Sequence, residues 1–164
     1  MIAEEIIQKW IEAGDETAEL TLSNLDIHEL PELPANLQKL DCYNCYNLKE
    51  LPDLPTSLIE LKLCCCNKIK ELLELPLNLQ LLNCAYCYNI KELPELPPNL
   101  QGLNCTYCIY LKELPELPPK LQILYCYDCP IEKLPELPES LQELNCFSCP
   151  IKSLPSILPL NVYL

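Results

Sequence analysis

A pair of cysteines returns along this chain at a nearly constant interval. Cys84 and Cys87, Cys105 and Cys108, and Cys126 and Cys129 are each C-x-x-C, and each pair lies 21 residues after the one before. Cys42 and Cys45 precede them in the same phase, and Cys146 and Cys149 follow after 20 residues. Residues 100–119, LQGLNCTYCIYLKELPELPP, show one full unit: L-x-x-L-x-C-x-x-C, an apolar residue, a short charged piece and L-P-x-L-P. A repeat of this length cannot close a core by itself. Its apolar face has to be buried by the units before and after it, so the period dictates a solenoid.

The two halves of the unit impose different backbones. Leu103 and Cys105 alternate with Gly102, Asn104 and Thr106, which is the period of a strand with one buried face. Strands are expected near 39–43, 60–64, 81–85, 102–106, 123–127 and 143–147, stacked into one parallel sheet. The proline half cannot donate to a ladder and disfavours helix at each preceding residue. With 17 prolines, most of them in this half, the opposite side is expected to be extended rather than helical.

The pattern L-x-x-L-x-L-x-x-N/C-x-L is that of the leucine-rich repeat, and the chain resembles that family over most of its length. The L-P-E-L-P spacer resembles the short-repeat class of bacterial secreted effectors. In that class the position of Cys105 normally holds Val or Leu and that of Cys108 normally holds Asn. The resemblance implies a leucine-rich-repeat solenoid with a concave parallel sheet and an extended, proline-rich convex side. Members of the class often carry a ubiquitin-ligase domain after the repeats. Within residues 1–164 repeats run to the end, and no phosphate loop, nucleophile–base pair or carboxylate pair stands out, so a non-enzyme is expected.

The chain divides as one domain: a helical cap over 1–17, seven repeats over 18–153 and a degenerate last repeat over 154–164. Residues 3–13 read as an amphipathic helix with Ile6, Ile7, Trp10 and Ile11 on one face and Gly14 as its C-cap. It would cover the apolar end of the solenoid. In the first repeat, 18–34, Leu22 and Leu25 stand where later units carry cysteine. His28, the single histidine, reads as a solvated turn residue.

Stacked in register, the pairs form two inward columns. One holds Leu22, Cys42, Leu63, Cys84, Cys105, Cys126 and Cys146; the other holds Leu25, Cys45, Cys66, Cys87, Cys108, Cys129 and Cys149. Strand spacing sets neighbours in a column about 4.8 Å apart. The segment LKLCCCNKI loses a cysteine at Leu63 and adds Cys64 and Cys65. Cys64 is expected to point outward, whereas Cys65 could turn inward and restore the lost thiol. Three readings follow. Cysteine is a small buried hydrophobe, which explains the second column but leaves unexplained why the first forgoes leucine. Disulfides would fit the distances but not a reducing compartment.

The third reading is a soft-metal site, because C-x2-C-x17-C-x2-C, seen at Cys84, Cys87, Cys105 and Cys108, is a zinc-type spacing and thiolates also select copper(I) and iron–sulfur clusters. Four-sulfur sets would be Cys42, Cys45, Cys65 and Cys66; Cys84, Cys87, Cys105 and Cys108; and Cys126, Cys129, Cys146 and Cys149. Copper(I) comes first, zinc second and an iron–sulfur cluster third. Metal binding is the favoured function at this level, with a protein-interaction scaffold, its cysteines purely core, as the alternative.

The net charge of −13 with no arginine argues against nucleic acid and anionic membranes. No apolar run approaches a membrane span, and the first residues have neither a basic n-region nor an apolar h-region, so a monomer in a reducing cytoplasm is expected. Tyr43, Tyr125, Tyr127 and Phe147, with Leu81 and Ile123, would line the concave face and could contact a protein partner. Tyr46, Tyr86, Tyr88, Tyr107 and Tyr110 flank the cysteines and are expected to shield the thiols from water.

Overall fold

Each repeat contributes one short strand, and the strands stack in chain order. The computed structural model describes residues 2–155, 158 and 161–163. It begins with α1 (Ala3–Ala13) and continues through β1 (Leu20–Thr21), β2 (Lys39–Asp41), β3 (Glu60–Lys62), β4 (Leu81–Asn83), β5 (Gly102–Asn104), β6 (Ile123–Tyr125), β7 (Glu143–Asn145) and β8 (Asn161–Tyr163). All eight form one sheet in the order β1 to β8, every neighbour parallel. The register sets each middle leucine on its equivalent: Leu40 on Leu61, Leu82, Leu103, Leu124 and Leu144 in turn. Those leucines are buried, and the residues flanking them face the concave side.

Regular strand stops two residues earlier than the alternation predicts. Asn24, Asn44, Cys65, Tyr86, Tyr107, Asp128 and Ser148 have φ between 55° and 65°, the left-handed region, and this residue turns the chain inward. Backbone pairing nevertheless runs up to it. Asn44 N–H bonds the Cys64 carbonyl at 2.8 Å, and Tyr86 N–H bonds Thr106 at 2.7 Å. The residue just before the turn therefore keeps its outward side. Thr106 and Gly102, expected on the open concave surface, are instead buried.

The proline half is extended, as expected, and has its own closing device. Leu58 N–H bonds the Pro55 carbonyl at 3.0 Å, and Leu37, Leu79, Leu100, Leu121 and Leu141 do the same to Pro34, Pro76, Pro97, Pro118 and Pro138. Proline has no N–H to lose, but its carbonyl accepts normally, so it can open the tight turn that returns the chain to the sheet. Side chains stitch neighbouring turns: Ser57 Oγ donates to Leu37 O at 2.7 Å and Asn99 Nδ2 to Leu77 O at 3.1 Å. The core is a slab of leucines, isoleucines and cysteines between the sheet and these turns.

At the N-terminal end, α1 packs against β1. Ala3 and Ile7 are buried, Ile6 and Trp10 are partly buried, and Trp10 Nε1 donates to Ala18 O at 3.0 Å. Gly14, at φ 69°, ends the helix with its N–H on Ile11 O. Ile11 departs from expectation: it is 50% exposed. A strand of two residues is a short partner, and the last helical turn outruns it. At the other end β8 adds an eighth strand from the degenerate segment; residues 156, 157, 159, 160 and 164 of that segment lie outside the described residues.

Candidate functional site

The second thiol column performs backbone chemistry. Cys45, Cys66, Cys87, Cys108, Cys129 and Cys149 each donate Sγ–H to the carbonyl of the first-column residue one repeat earlier, at 3.0–3.3 Å. Several also accept. Backbone N–H groups of Leu25, Cys45 and Cys66 point at the sulfurs of Cys45, Cys66 and Cys87. A thiol carries one donor and weak acceptor capacity, so a small side chain satisfies a carbonyl and an amide that the turn would otherwise bury unpaired.

The same diagonal places each second-column sulfur near the first-column residue of the preceding repeat. Cys84 interacts with Cys108, Cys105 with Cys129 and Cys126 with Cys149, thiol to thiol. Leu22 and Leu63, both fully buried, occupy the matching places before Cys45 and Cys87. The strongest sulfur–sulfur interactions thus run in pairs along a diagonal, with further thiols near them, such as Cys129 and Cys146 beside Cys126. Among the described residues no group of three or more His, Cys, Asp or Glu is placed to hold a metal ion. Metal binding by the four-sulfur sets has no support in this arrangement.

Cys65 explains part of this. It sits at the left-handed turn position, partly exposed, and does not replace Leu63 in the column. Cys64 is half-buried on the outward side, beyond β3. All thirteen cysteines are free thiols. Burial, with Cys45 and Cys66 nearby, pushes Cys42 well above the usual thiol range, and burial raises Cys66 to about 12. Cys149 is the opposite case: the Cys126 thiol donates to it and lowers it to about 7 against the cost of burial.

The concave face is built from outward columns in register. Lys39, Glu60, Leu81, Gly102, Ile123 and Glu143 form one, and Asp41, Lys62, Asn83, Asn104, Tyr125 and Asn145 the next. In the second column the Asx side chains cap the turn. Oδ1 of Asp41, Asn83, Asn104 and Asn145 accepts the N–H two residues on, at 2.8–3.2 Å. Lys62 and Tyr125 cannot do this, and both line the same shallow hollow of about 230 Å³, with Glu60, Leu81, Asn83, Gly102, Asn104 and Ile123. The missing side chain of Gly102 makes the room: a Cβ there would meet Leu81 Cδ2 at 2.8 Å. Leu81 and Ile123 flank it, while Lys62 Nζ bridges Glu19 at 2.7 Å and Glu60 at 3.2 Å. Burial first, then the Glu143 carboxylate at its hydroxyl, raises the Tyr125 phenol.

The four aromatics expected to meet a partner are not one patch. Tyr125 lines the hollow. Tyr127 belongs to a ring cluster beside it, edge-on to Tyr107 at 5.8 Å, with Tyr107 stacked on Tyr86 at 4.7 Å and 12°. Tyr43 and Phe147 stand at separate repeats, 46% and 58% exposed. Tyr46, Tyr88 and Tyr110 are exposed; Tyr86 and Tyr107 of that group are half-buried. Glu60 and Lys62 escaped the sequence reading. Their signal was available: Lys62 and Tyr125 break the Asp/Asn column, and Gly102, one of two glycines, interrupts a strand pattern.

No family model and no curated protein matches the chain. Solved structures do. YopM from Yersinia enterocolitica WA-314 is 34% identical at a TM-score of 0.57, covering 82% of this chain and 34% of that one. A Shigella effector leucine-rich-repeat domain is 27% identical at 0.79, covering 93% and 67%. YopM from Yersinia pestis, a leucine-rich effector protein, is 28% identical at 0.74, covering 98% and 52%. The chain spans about a third of the length of the first and about half of the last.

Proposed function

We propose that this chain, a leucine-rich-repeat solenoid of the bacterial-effector type, is a protein-interaction scaffold whose concave sheet receives a segment of a partner protein. The observation that carries this is the hollow over Gly102. There Leu81 and Ile123, 43% and 38% exposed, stand among polar and charged strand residues, with Glu60, Lys62, Asn83, Asn104 and Tyr125 around them. An apolar hollow with a charged rim is the layout of an interface centre, where desolvated contacts hold and peripheral charges select. Glu19, Glu60 and Glu143 outnumber the Lys62 that pairs with the first two, and on a chain of net charge −13 they favour a basic partner segment and a salt-sensitive association rate. The likeness to Yersinia and Shigella effectors supports a scaffold role. On this reading the thiol columns are core.

The test compares proteins captured by the immobilised chain with those captured by a Leu81→Lys/Ile123→Lys variant and by Lys112→Glu, a change on an exposed turn. The double variant should lose specific partners while melting as the wild type does, and Lys112→Glu should keep them. An unchanged set on the double variant refutes the assignment to this face.

A further inference from the structure

We propose that Cys149 and Cys126 form an oxidisable dithiol, in which Cys149 is attacked by a soluble hydroperoxide and Cys126 resolves the product into a disulfide. The diagonal geometry supplies the pair. Of the six second-column thiols, Cys45 and Cys87 face leucines, at Leu22 and Leu63, and have no sulfur across from them. Cys66, Cys108 and Cys129 face cysteines, at Cys42, Cys84 and Cys105, but are themselves buried. Cys149 alone among the six combines a cysteine partner with partial exposure. Its Sγ lies 3.0 Å from the Cys126 carbonyl oxygen and in hydrogen-bond contact with the Cys126 thiol.

The asymmetry within the pair orders the chemistry. The Cys126 thiol donates to Cys149, which lowers Cys149 to about 7, while Cys126 itself is pushed far up by that bond and by burial. Cys149 is the partly exposed member and Cys126 the buried one, so a peroxide reaches Cys149 first and reacts with the thiolate formed when Cys149 gives up its Sγ–H bond to the Cys126 carbonyl. In the first step a Cys149 sulfur lone pair attacks the peroxide oxygen. An S–O bond forms, the O–O bond breaks, and the alkoxide or hydroxide leaves and is protonated, giving Cys149 sulfenic acid. In the second step the Cys126 sulfur attacks the sulfenyl sulfur. An S–S bond forms, and hydroxide departs with the Cys126 proton as water. Sulfur is oxidised by two electrons and the peroxide reduced by two. The product ties β7's repeat covalently to β6's repeat, and a dithiol reductant reverses it.

The experiment treats the folded full chain with hydrogen peroxide, blocks remaining thiols with N-ethylmaleimide after denaturation, and maps peptides without reduction. Cleavage after lysine gives peptides 121–133 and 134–152, which separate Cys126 and Cys129 from Cys146 and Cys149. The expected product joins these peptides through Cys126 and Cys149, with Cys84, Cys87, Cys105 and Cys108 still alkylatable. Without peroxide, Cys149 in the folded chain should alkylate at least about tenfold faster than Cys108. Cys126→Leu, which installs the residue that Leu22 and Leu63 already hold in this column, should halt the reaction at a sulfenic acid that dimedone traps on Cys149. A Cys149 that stays a thiol in excess peroxide, a link through Cys129 or Cys146 instead, or equal alkylation of Cys149 and Cys108 overturns the proposal. The wild-type map decides even if Cys126→Leu does not fold.

Discussion

Cys42 and Cys45 sit three residues apart in one repeat, both fully buried, and differ in what their sulfurs do. Cys45 donates to Leu22 O at 3.1 Å and receives the Leu25 N–H, whereas Cys42 packs. Truncation to alanine removes one buried sulfur in either case. The lost burial is comparable to one methylene, about 0.8 kcal/mol, and the cavity left behind adds about 0.5 kcal/mol. Cys42→Ala should therefore cost roughly 1–1.5 kcal/mol. Cys45→Ala carries that cost and also removes a donor and an acceptor from buried backbone groups, worth about 1 kcal/mol more. The Leu22 carbonyl belongs to a fully buried residue and loses its donor outright. A total near 2–2.5 kcal/mol follows, and Cys45→Ser should recover part of the difference because a hydroxyl keeps both functions. Urea titration with reductant present, at equal m-values, measures each. Equal losses in Cys42→Ala and Cys45→Ala would refute the assignment of Cys42 to packing and Cys45 to backbone bonding.

Gly102→Ala should leave stability within about 1 kcal/mol, because Leu81 is exposed enough to swing away and the strand gains from losing a glycine, yet it fills the hollow and should weaken partner capture. Cys65→Gly should be stabilising by roughly 0.5–1 kcal/mol in thermal or urea unfolding, since φ 65° strains any side chain with a Cβ. Burial holds Cys42, Cys66 and Cys87 above their usual 9.0, and thiol bonds to Cys108, Cys129 and Cys149, then burial, hold Cys84, Cys105 and Cys126 there, so the folded state keeps these protons while the unfolded chain releases them. Their contribution is complete below pH 9 and lost above it, at about 1 kcal/mol per thiol between pH 9 and 10, read as a falling urea midpoint in reductant. Elemental analysis of protein purified without added metal should find less than one copper, zinc or iron per chain; stoichiometric metal would return the soft-metal reading.

The period of the cysteines, the inward leucines and the prolines were enough to determine the solenoid, its parallel sheet, its extended convex side and the membership of both columns. Each is a consequence of local rules. Alternation selects a strand, proline forbids a helix, and stacking identical units brings every residue onto its own equivalent. What lies between repeats was decided only by tertiary structure. The left-handed turn residue is a tyrosine at Tyr86 and Tyr107 and a cysteine at Cys65, types with no local preference for that conformation, so the strand ends could not be read and Cys65 was drawn inward. The diagonal offset that sets Cys108 against Cys84, and a thiol against a carbonyl rather than four thiols together, depends on how far each turn leans over the one before. The hollow at Gly102 needs the neighbouring Leu81 as much as the glycine. A sequence period specifies which residues stack; the lean and twist of the stack, set by packing along the whole solenoid, specify which atoms meet.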